Sequence, residues 1–312
     1  MTPEAFTAWL HEKPIRVLDG ATGSELVRLA VPSAARLWGA GALIEAPGAV
    51  KELHQRHAAS GAEALTACTF RVSPYALRRA GLENRAAELA RRAVELARAG
   101  AAAAGRHCLV LGSQTMLEDC YRPDLAPGDS TLEREHRATS HMLADAGADA
   151  ILLETCNSVR ESAVAARAAA ETGLAVIVSF VCKLRGLLLS TEDAAEAAAA
   201  VSLPGVVAVG VNCTAVNDMP AALDRLAPGT RLPLAAYANN AWFAEDSAFL
   251  RADPLGPPEY AHAARGWLTR GVRLLGGCCG TTPAHVAALV ALVEDLGSTG
   301  DGRSLEGNDS DE

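Results

Sequence analysis

Eight short apolar runs rich in β-forming residues recur along this 312-residue chain, most of them followed by a stretch of helical periodicity, and that alternation limits the fold more than any other feature. The runs cover residues 16–18, 63–68, 108–112, 150–154, 175–182, 206–213, 233–238 and 273–277. The pattern predicts helices over 47–60, 84–104, 131–146, 159–172, 191–202, 217–226, 257–269 and 283–296. Strand followed by helix, repeated, implies a parallel sheet with helical crossovers. Eight such units match a single α/β domain, a (β/α)8 TIM barrel over residues 1–296, whose site would lie at the carboxyl ends of the strands. An open doubly wound sheet is the competing architecture. Residues 1–14 are expected to cap the barrel from below as a short helix. The acidic tail 297–312, rich in Gly, Ser and Asp, has no apolar face to bury and is expected to be disordered. The irregular stretches 114–130 and 239–258 follow the third and seventh runs, so both are expected to rise over the mouth as lids.

Half of the side chains are hydrophobic, enough for a large core. A net charge of −9 with no cluster of Lys and Arg argues against a nucleic-acid surface, because phosphate binding rests on clustered cations. No run of 18 apolar residues and no basic-then-apolar leader is present, so neither membrane insertion nor secretion is expected, and the expected location is the cytoplasm. Eight cysteines in that setting read as thiols or metal ligands rather than a disulfide framework. Nothing in the pattern specifies an oligomeric state.

Two of those cysteines are adjacent, in Gly276-Gly-Cys-Cys-Gly-Thr-Thr-Pro283. Neighbouring side chains on a strand point to opposite faces, so Cys278 and Cys279 can reach one metal only where the strand has ended, and the glycines permit that break. Cys213 ends another run, and three thiolates suffice for a zinc site that leaves one position open for a substrate. Thr282 and Pro283 read as the cap and first residue of the next helix, which would hold the cysteine turn. Cys68, Cys108, Cys120, Cys156 and Cys182 read as buried packing residues. His54, His57, His136 and His141 sit inside helical runs and read as packing or solvent-facing. His285, just after the cysteine pair, is placed to support the metal ligands from behind.

Two carboxylates converge on the same mouth: Asp19 after the first strand and Glu154 at the end of the fourth. Asp19 can also form a turn through its side chain, and Glu154 can also cap the next helix. If both are buried, each needs a cationic partner, and a primary ammonium suits them. The Gly-Ala-Thr-Gly stretch after Asp19 lacks the Lys of a phosphate loop.

Together, Asp19-Gly-Ala-Thr-Gly-Ser-Glu-Leu, Leu153-Glu154-Thr155, Gly210-Val-Asn-Cys213 and the Cys278–Cys279 turn resemble the zinc-dependent homocysteine S-methyltransferases, over residues 15 to 295. The resemblance implies a barrel with zinc on Cys213, Cys278 and Cys279. It implies an amino-group clamp of Asp19 and Glu154, with the substrate carboxylate at the Gly20 and Thr69 regions. The implied reaction is methylation of homocysteine to methionine, with S-methylmethionine or S-adenosylmethionine as donor. The stretch from Ala80 to Ala97 is also similar to the homocysteine module of cobalamin-dependent methionine synthase. No Asp-x-His-x-x-Gly cobalamin signature occurs, so a corrinoid route would need a partner protein. A non-catalytic zinc or thiol-binding barrel is a further alternative, and a selenol or another small thiol is an alternative acceptor. Gly112-Ser-Gln-Thr-Met-Leu-Glu-Asp-Cys120 departs from the glycine-rich Gly-Pro segment of many relatives, which implies a reshaped loop near the donor.

Overall fold

All eight expected strands form, and all are parallel. A computed structural model describes residues 1–32, 37–240 and 254–298. The strands are β1 (Arg16–Val17), β2 (Ala64–Thr66), β3 (Leu109–Gln114), β4 (Ala150–Cys156), β5 (Ala175–Phe180), β6 (Val206–Ala215), β7 (Leu234–Asn239) and β8 (Val272–Gly277). They are ordered β1-β8-β7-β6-β5-β4-β3-β2. The seam between β1 and β2 is closed by a parallel bridge from Leu18 to Ala64 and by hydrogen bonds from Glu63 N to Val17 O and from Asp19 N to Ala64 O. That closure rules out the open sheet, since an open sheet leaves its two edge strands unpaired.

The predicted crossover helices are present as α4 (Pro47–Ala59), α6 (Ala86–Ala103), α7 (Asp129–Asp145), α8 (Val159–Ala170), α9 (Ala194–Val201), α10 (Met219–Leu226), α11 (Pro257–Leu268) and α12 (Pro283–Ser298), with α1 (Pro3–His11) before the first strand. α12 continues two residues past the expected end of the barrel, and tail residues 299–312 lie outside the described residues. Three helices were not expected: α2 (Gly23–Arg28), α3 (Ala40–Glu45) and α5 (Pro74–Arg78). Each is six residues or fewer, too short for an amphipathic period to register in the sequence.

Side chains alternate between two layers, as the pleat requires. Leu18, Leu111, Leu152, Ile177, Ala208, Ala235 and Leu274 fill the barrel, with Phe6 and Leu10 of α1 plugging its lower end. Ile151, Leu153, Val176, Val178, Val209 and Leu275 point outward and pack under the helices.

Two strands carry a kink at the upper rim that the sequence pattern does not show. In β4 the pairing with β5 shifts register between Leu153 and Cys156, and Thr155 has φ 58°. In β6 the pairing with β7 shifts between Asn212 and Ala215, and Cys213 has φ 49°. Cys213 thus lies inside a strand that runs on to Ala215 rather than at its end. Left-handed backbone at a β-branched threonine is strained, so something must hold it. The amide of Asn212 does so: Thr155 N donates to its Oδ1 at 2.8 Å and its Nδ2 donates to Thr155 Oγ1 at 3.0 Å. One kink therefore locks the other.

Below the kink, β6 and β7 approach closely at Gly210, where an added Cβ would overlap the Ala235 carbonyl oxygen and come within 2.6 Å of the Ala235 Cβ. Both groups are fixed in the sheet. Gly210→Ala is expected to destabilise the protein by about 1–3 kcal/mol or more through overpacking, measured as a shift of the denaturant midpoint.

Candidate active site

The upper rim surrounds a cleft of about 960 Å³ lined by the three motif cysteines, Asp19, Gly20 and Glu154. The sulfurs of Cys213, Cys278 and Cys279 lie within 4.8 Å of one another, and Cys213 Sγ is 3.7 Å from Cys279 Sγ. A tetrahedral ion with Zn–S bonds of about 2.3 Å separates its sulfurs by about 3.8 Å, so the trio fits one such ion. Among the described residues no other group of three or more ligating side chains converges in this way.

The turn carrying the adjacent cysteines is tied to the loop after β1. Gly277 N donates to Asp19 O at 3.0 Å, Gly280 N to Ser24 Oγ at 3.0 Å and Ala21 N to Thr281 Oγ1 at 3.1 Å. Thr281 Oγ1 donates in turn to Cys278 O at 2.7 Å. Gly277 must be glycine here, because a Cβ would sit 2.7 Å from the Thr281 Cβ. The cysteine turn and the Asp19 loop thus form one hydrogen-bonded unit.

Asp19 is 2% exposed, and its two oxygens accept from Thr66 N at 2.7 Å and Thr66 Oγ1 at 2.8 Å. Glu154 accepts a short hydrogen bond from Ser113 Oγ. Neither carboxylate is ion-paired among the described residues. Burial pushes the Asp19 carboxyl up to about 7, against the Thr66 hydrogen bonds that pull it down. Burial, joined by the neighbouring Cys278 sulfur, pushes Glu154 up to about 8. Two buried carboxylates that resist ionisation form a site built for a cation.

Residues 16–293 match the sequence family described as homocysteine S-methyltransferase. The chain belongs to that family. It is 32% identical to the homocysteine S-methyltransferase of Escherichia coli strain K12, over 91% of this chain and 97% of that one. The crystal structure of the homocysteine methyltransferase MmuM from Escherichia coli in its metallated form superposes with a TM-score of 0.79, at 32% identity over 91% of this chain and 98% of that chain. Methionine synthase of Mycobacterium tuberculosis is 29% identical over 90% of this chain, which spans a quarter of that longer protein. This homocysteine S-methyltransferase family member is therefore an enzyme of the methyltransferase class.

Several of its residues fall differently from expectation. Thr69 does not line the cleft: its hydroxyl donates to Ser113 O at 2.8 Å, and its neighbours Cys68 and Phe70 face the cavity instead. Thr282 Oγ1 meets Nδ1 of His285 at 3.0 Å, and the same nitrogen accepts from Thr282 N at 3.1 Å. His285 Nε2 faces Leu255 O at 3.0 Å, so His285 ties a loop base rather than the sulfurs. His285 and the Asn240 side chain share Leu255 O, and Asn240 N donates to Cys279 O at 2.8 Å. Cys68 and Cys120 are buried in the cleft wall, where burial pushes both thiols up to about 12. Cys108, Cys156 and Cys182 lie in the core. His54, His57 and His136 are buried in packing positions, and His141 is exposed.

Of the two expected lids, 114–130 is described in full, and its loop 115–128 brings Leu117, Glu118, Asp119, Cys120, Tyr121 and Arg122 to the cleft. The other has residues 241–253 outside the described residues, and its base is joined by Asn240 Nδ2 donating to Leu255 O at 2.8 Å and Leu255 N to Asn240 Oδ1 at 2.9 Å. Asn212 and Thr155 stand inside the quoted motifs without a role assigned to them there, and Tyr121 lies outside every motif. The signal for Asn212 was its place beside Cys213, but the reason for an amide there is visible only across strands.

The raised Glu154 value sets a pH dependence in the metal- and substrate-free protein. Above the ordinary value of 4.5 the unfolded chain releases this proton while the folded chain keeps it until about pH 8, so stability falls across that interval. Glu154→Gln removes the titration. The variant is expected to gain stability relative to the parent as pH rises from 5 to 8, by on the order of 1–3 kcal/mol, measured by urea unfolding at several pH values.

Proposed function

We propose that this enzyme methylates the thiol of L-homocysteine to give methionine, with zinc on Cys213, Cys278 and Cys279 and a methylsulfonium compound, S-methylmethionine or S-adenosylmethionine, as donor. One observation carries the reading: a three-thiol metal trio and two unpaired buried carboxylates share one cleft. A thiol alone would satisfy a metal-storage site, whereas the carboxylates call for an ammonium as well. An amino acid that bears both groups fits the whole arrangement.

Zinc held by Cys213, Cys278 and Cys279 would favour the thiolate form of a substrate sulfur at neutral pH. The rest is the work of the chain. Asp19 and Glu154 take the substrate ammonium, and this cation restores both to their charged forms. Gly20 and the residues through Ser24 line the cleft beside Asp19, and with the Thr69 segment they are assigned to the substrate carboxylate. At Thr69 the part facing the cleft is the chain on either side of it. Methyl transfer forms a bond between the homocysteine sulfur and the methyl carbon and breaks the bond from that carbon to the donor sulfur. The electron pair stays on the donor, which leaves as a neutral thioether. No proton leaves the methyl group, so no general base is required there. A near-attack alignment is what the walls must supply.

The similarity to methionine synthase supports a second reading, in which the acceptor site is the same and the methyl group comes from a corrinoid partner protein. Purified, zinc-loaded enzyme should form methionine from homocysteine with one of the sulfonium donors and no added protein. Turnover only with a methylated corrinoid protein would transfer the assignment to the second reading.

Two sets of variants test the site. Asp19→Asn keeps shape but removes charge, and is expected to weaken homocysteine binding by about 10- to more than 100-fold while zinc stays bound, since a charge-assisted hydrogen bond contributes roughly 1.5–3 kcal/mol. Calorimetric titration with homocysteine measures it. The Cys278→Ala, Cys279→Ala double variant should contain no stoichiometric zinc by elemental analysis and retain the circular dichroism of the parent, because the barrel core is closed without the ion.

A further inference from the structure

The connection 115–128 between β3 and α7 is fastened at several points rather than hanging over the cleft. At its start Leu117 N donates to Glu161 Oε1 at 2.8 Å. Glu161 is itself fixed by His136 Nε2 at 3.0 Å. The other ring nitrogen of His136 meets Gln114 Nε2 at 2.9 Å, and Ser140 Oγ donates to Gln114 Oε1 at 2.9 Å. A single arrangement of protons satisfies this whole buried chain: Nε2–H donates to the carboxylate, and Nδ1 accepts from the amide. Further along, Arg71 Nη1 donates to Glu118 O at 2.7 Å, Tyr75 Oη to Glu118 Oε1 at 2.7 Å and Asn157 Nδ2 to Cys120 O at 3.1 Å. These anchors come from α5, α7, α8 and the rims of β2 and β4.

The next residue is Tyr121, and its hydroxyl lies 3.1 Å from Cys213 Sγ. Two amides also approach the trio, Asn239 Nδ2 at 3.6 Å from Cys213 and Asn212 Nδ2 at 3.8 Å from Cys278, both at longer range. A cysteine that ligates a metal is a thiolate with no proton to give. In that state the phenol is the donor of the Tyr121–Cys213 contact.

We infer that Tyr121 is a positioning residue of the metal centre, donating a hydrogen bond to the Cys213 sulfur and so lowering the electron density that this ligand offers the ion. The inference rests on the zinc reading above. It makes the 115–128 connection part of the centre, since this loop delivers a hydroxyl to the Cys213 sulfur. Groups that hydrogen-bond to metal ligands typically change metal affinity by about 10–100-fold when removed.

The test compares the parent protein with Tyr121→Phe, which keeps the ring and removes only the hydroxyl, each loaded with Co2+ in place of zinc under reducing conditions. The sulfur-to-cobalt charge-transfer band is expected at lower energy in the variant, because the Cys213 electrons are held less tightly. Competition with a chromophoric chelator should show zinc bound about 10- to 100-fold more weakly, because losing the donor that fixes the Cys213 sulfur outweighs the greater electron donation of the freed ligand. A merely structural role for the phenol would leave the band energy unmoved. If the parent binds both ions and the variant matches it in band position and zinc affinity, the role of Tyr121 is overturned and the metal centre stands. Failure of the parent itself to bind either ion overturns the metal centre and this inference with it.

Discussion

Five groups that carry or can carry negative charge, Asp19, Glu154, Cys213, Cys278 and Cys279, converge in one cleft with no Lys or Arg paired to any of them among the described residues. Burying unpaired charge costs several kcal/mol per group, so in the empty protein these groups retain protons or share them. Cys213 is drawn below the ordinary thiol range by hydrogen bonding with Cys278 and Cys279. The arrangement becomes favourable only when cations arrive. Under the proposed function, a metal ion would answer the sulfurs and an ammonium the carboxylates, and a molecule with both a thiol and an ammonium would connect the two halves.

Holding such groups together requires backbone that would not form by itself. Thr155 and Cys213 both adopt left-handed conformations inside strands, and the register shifts on β4 and β6 turn the chain so that Glu154 and Cys213 face the same cavity. Bulges near active sites commonly re-aim side chains in this way. The Asn212 side chain binds both the backbone and the hydroxyl of Thr155, so the strain in two neighbouring strands is held by one amide. The closed sheet supplies the rigidity against which that strain is maintained.

The 115–128 connection shows a related economy. Its anchors are buried and polar, and each polar group of the Ser140–Gln114–His136–Glu161 chain has a partner. Fully satisfied networks of this kind rigidify what they touch. The side chains this loop presents to the cleft are therefore fixed features of the cavity wall.

The sequence by itself determined the barrel and singled out the three cysteines and two carboxylates that the fold brings into one cleft. Apolar runs separated by helical periods read directly as strand and helix, because strand and helix each impose a period on a chain that buries one face. The adjacent cysteines in a glycine turn were legible because few local geometries let neighbours reach one point. The short helices α2, α3 and α5 left no such trace, being shorter than the period that reveals a helix. The family resemblance placed the Thr69 region at the substrate carboxylate, yet the Thr69 hydroxyl is taken by Ser113 O from the next strand, a competition that depends on strand register. Tyr121 lies 92 residues from Cys213 in the chain and Asn212 lies 57 from Thr155. Only tertiary structure decided those contacts, because a hydrogen bond between distant residues depends on where closure of the sheet brings two rims together, and no local pattern records that distance.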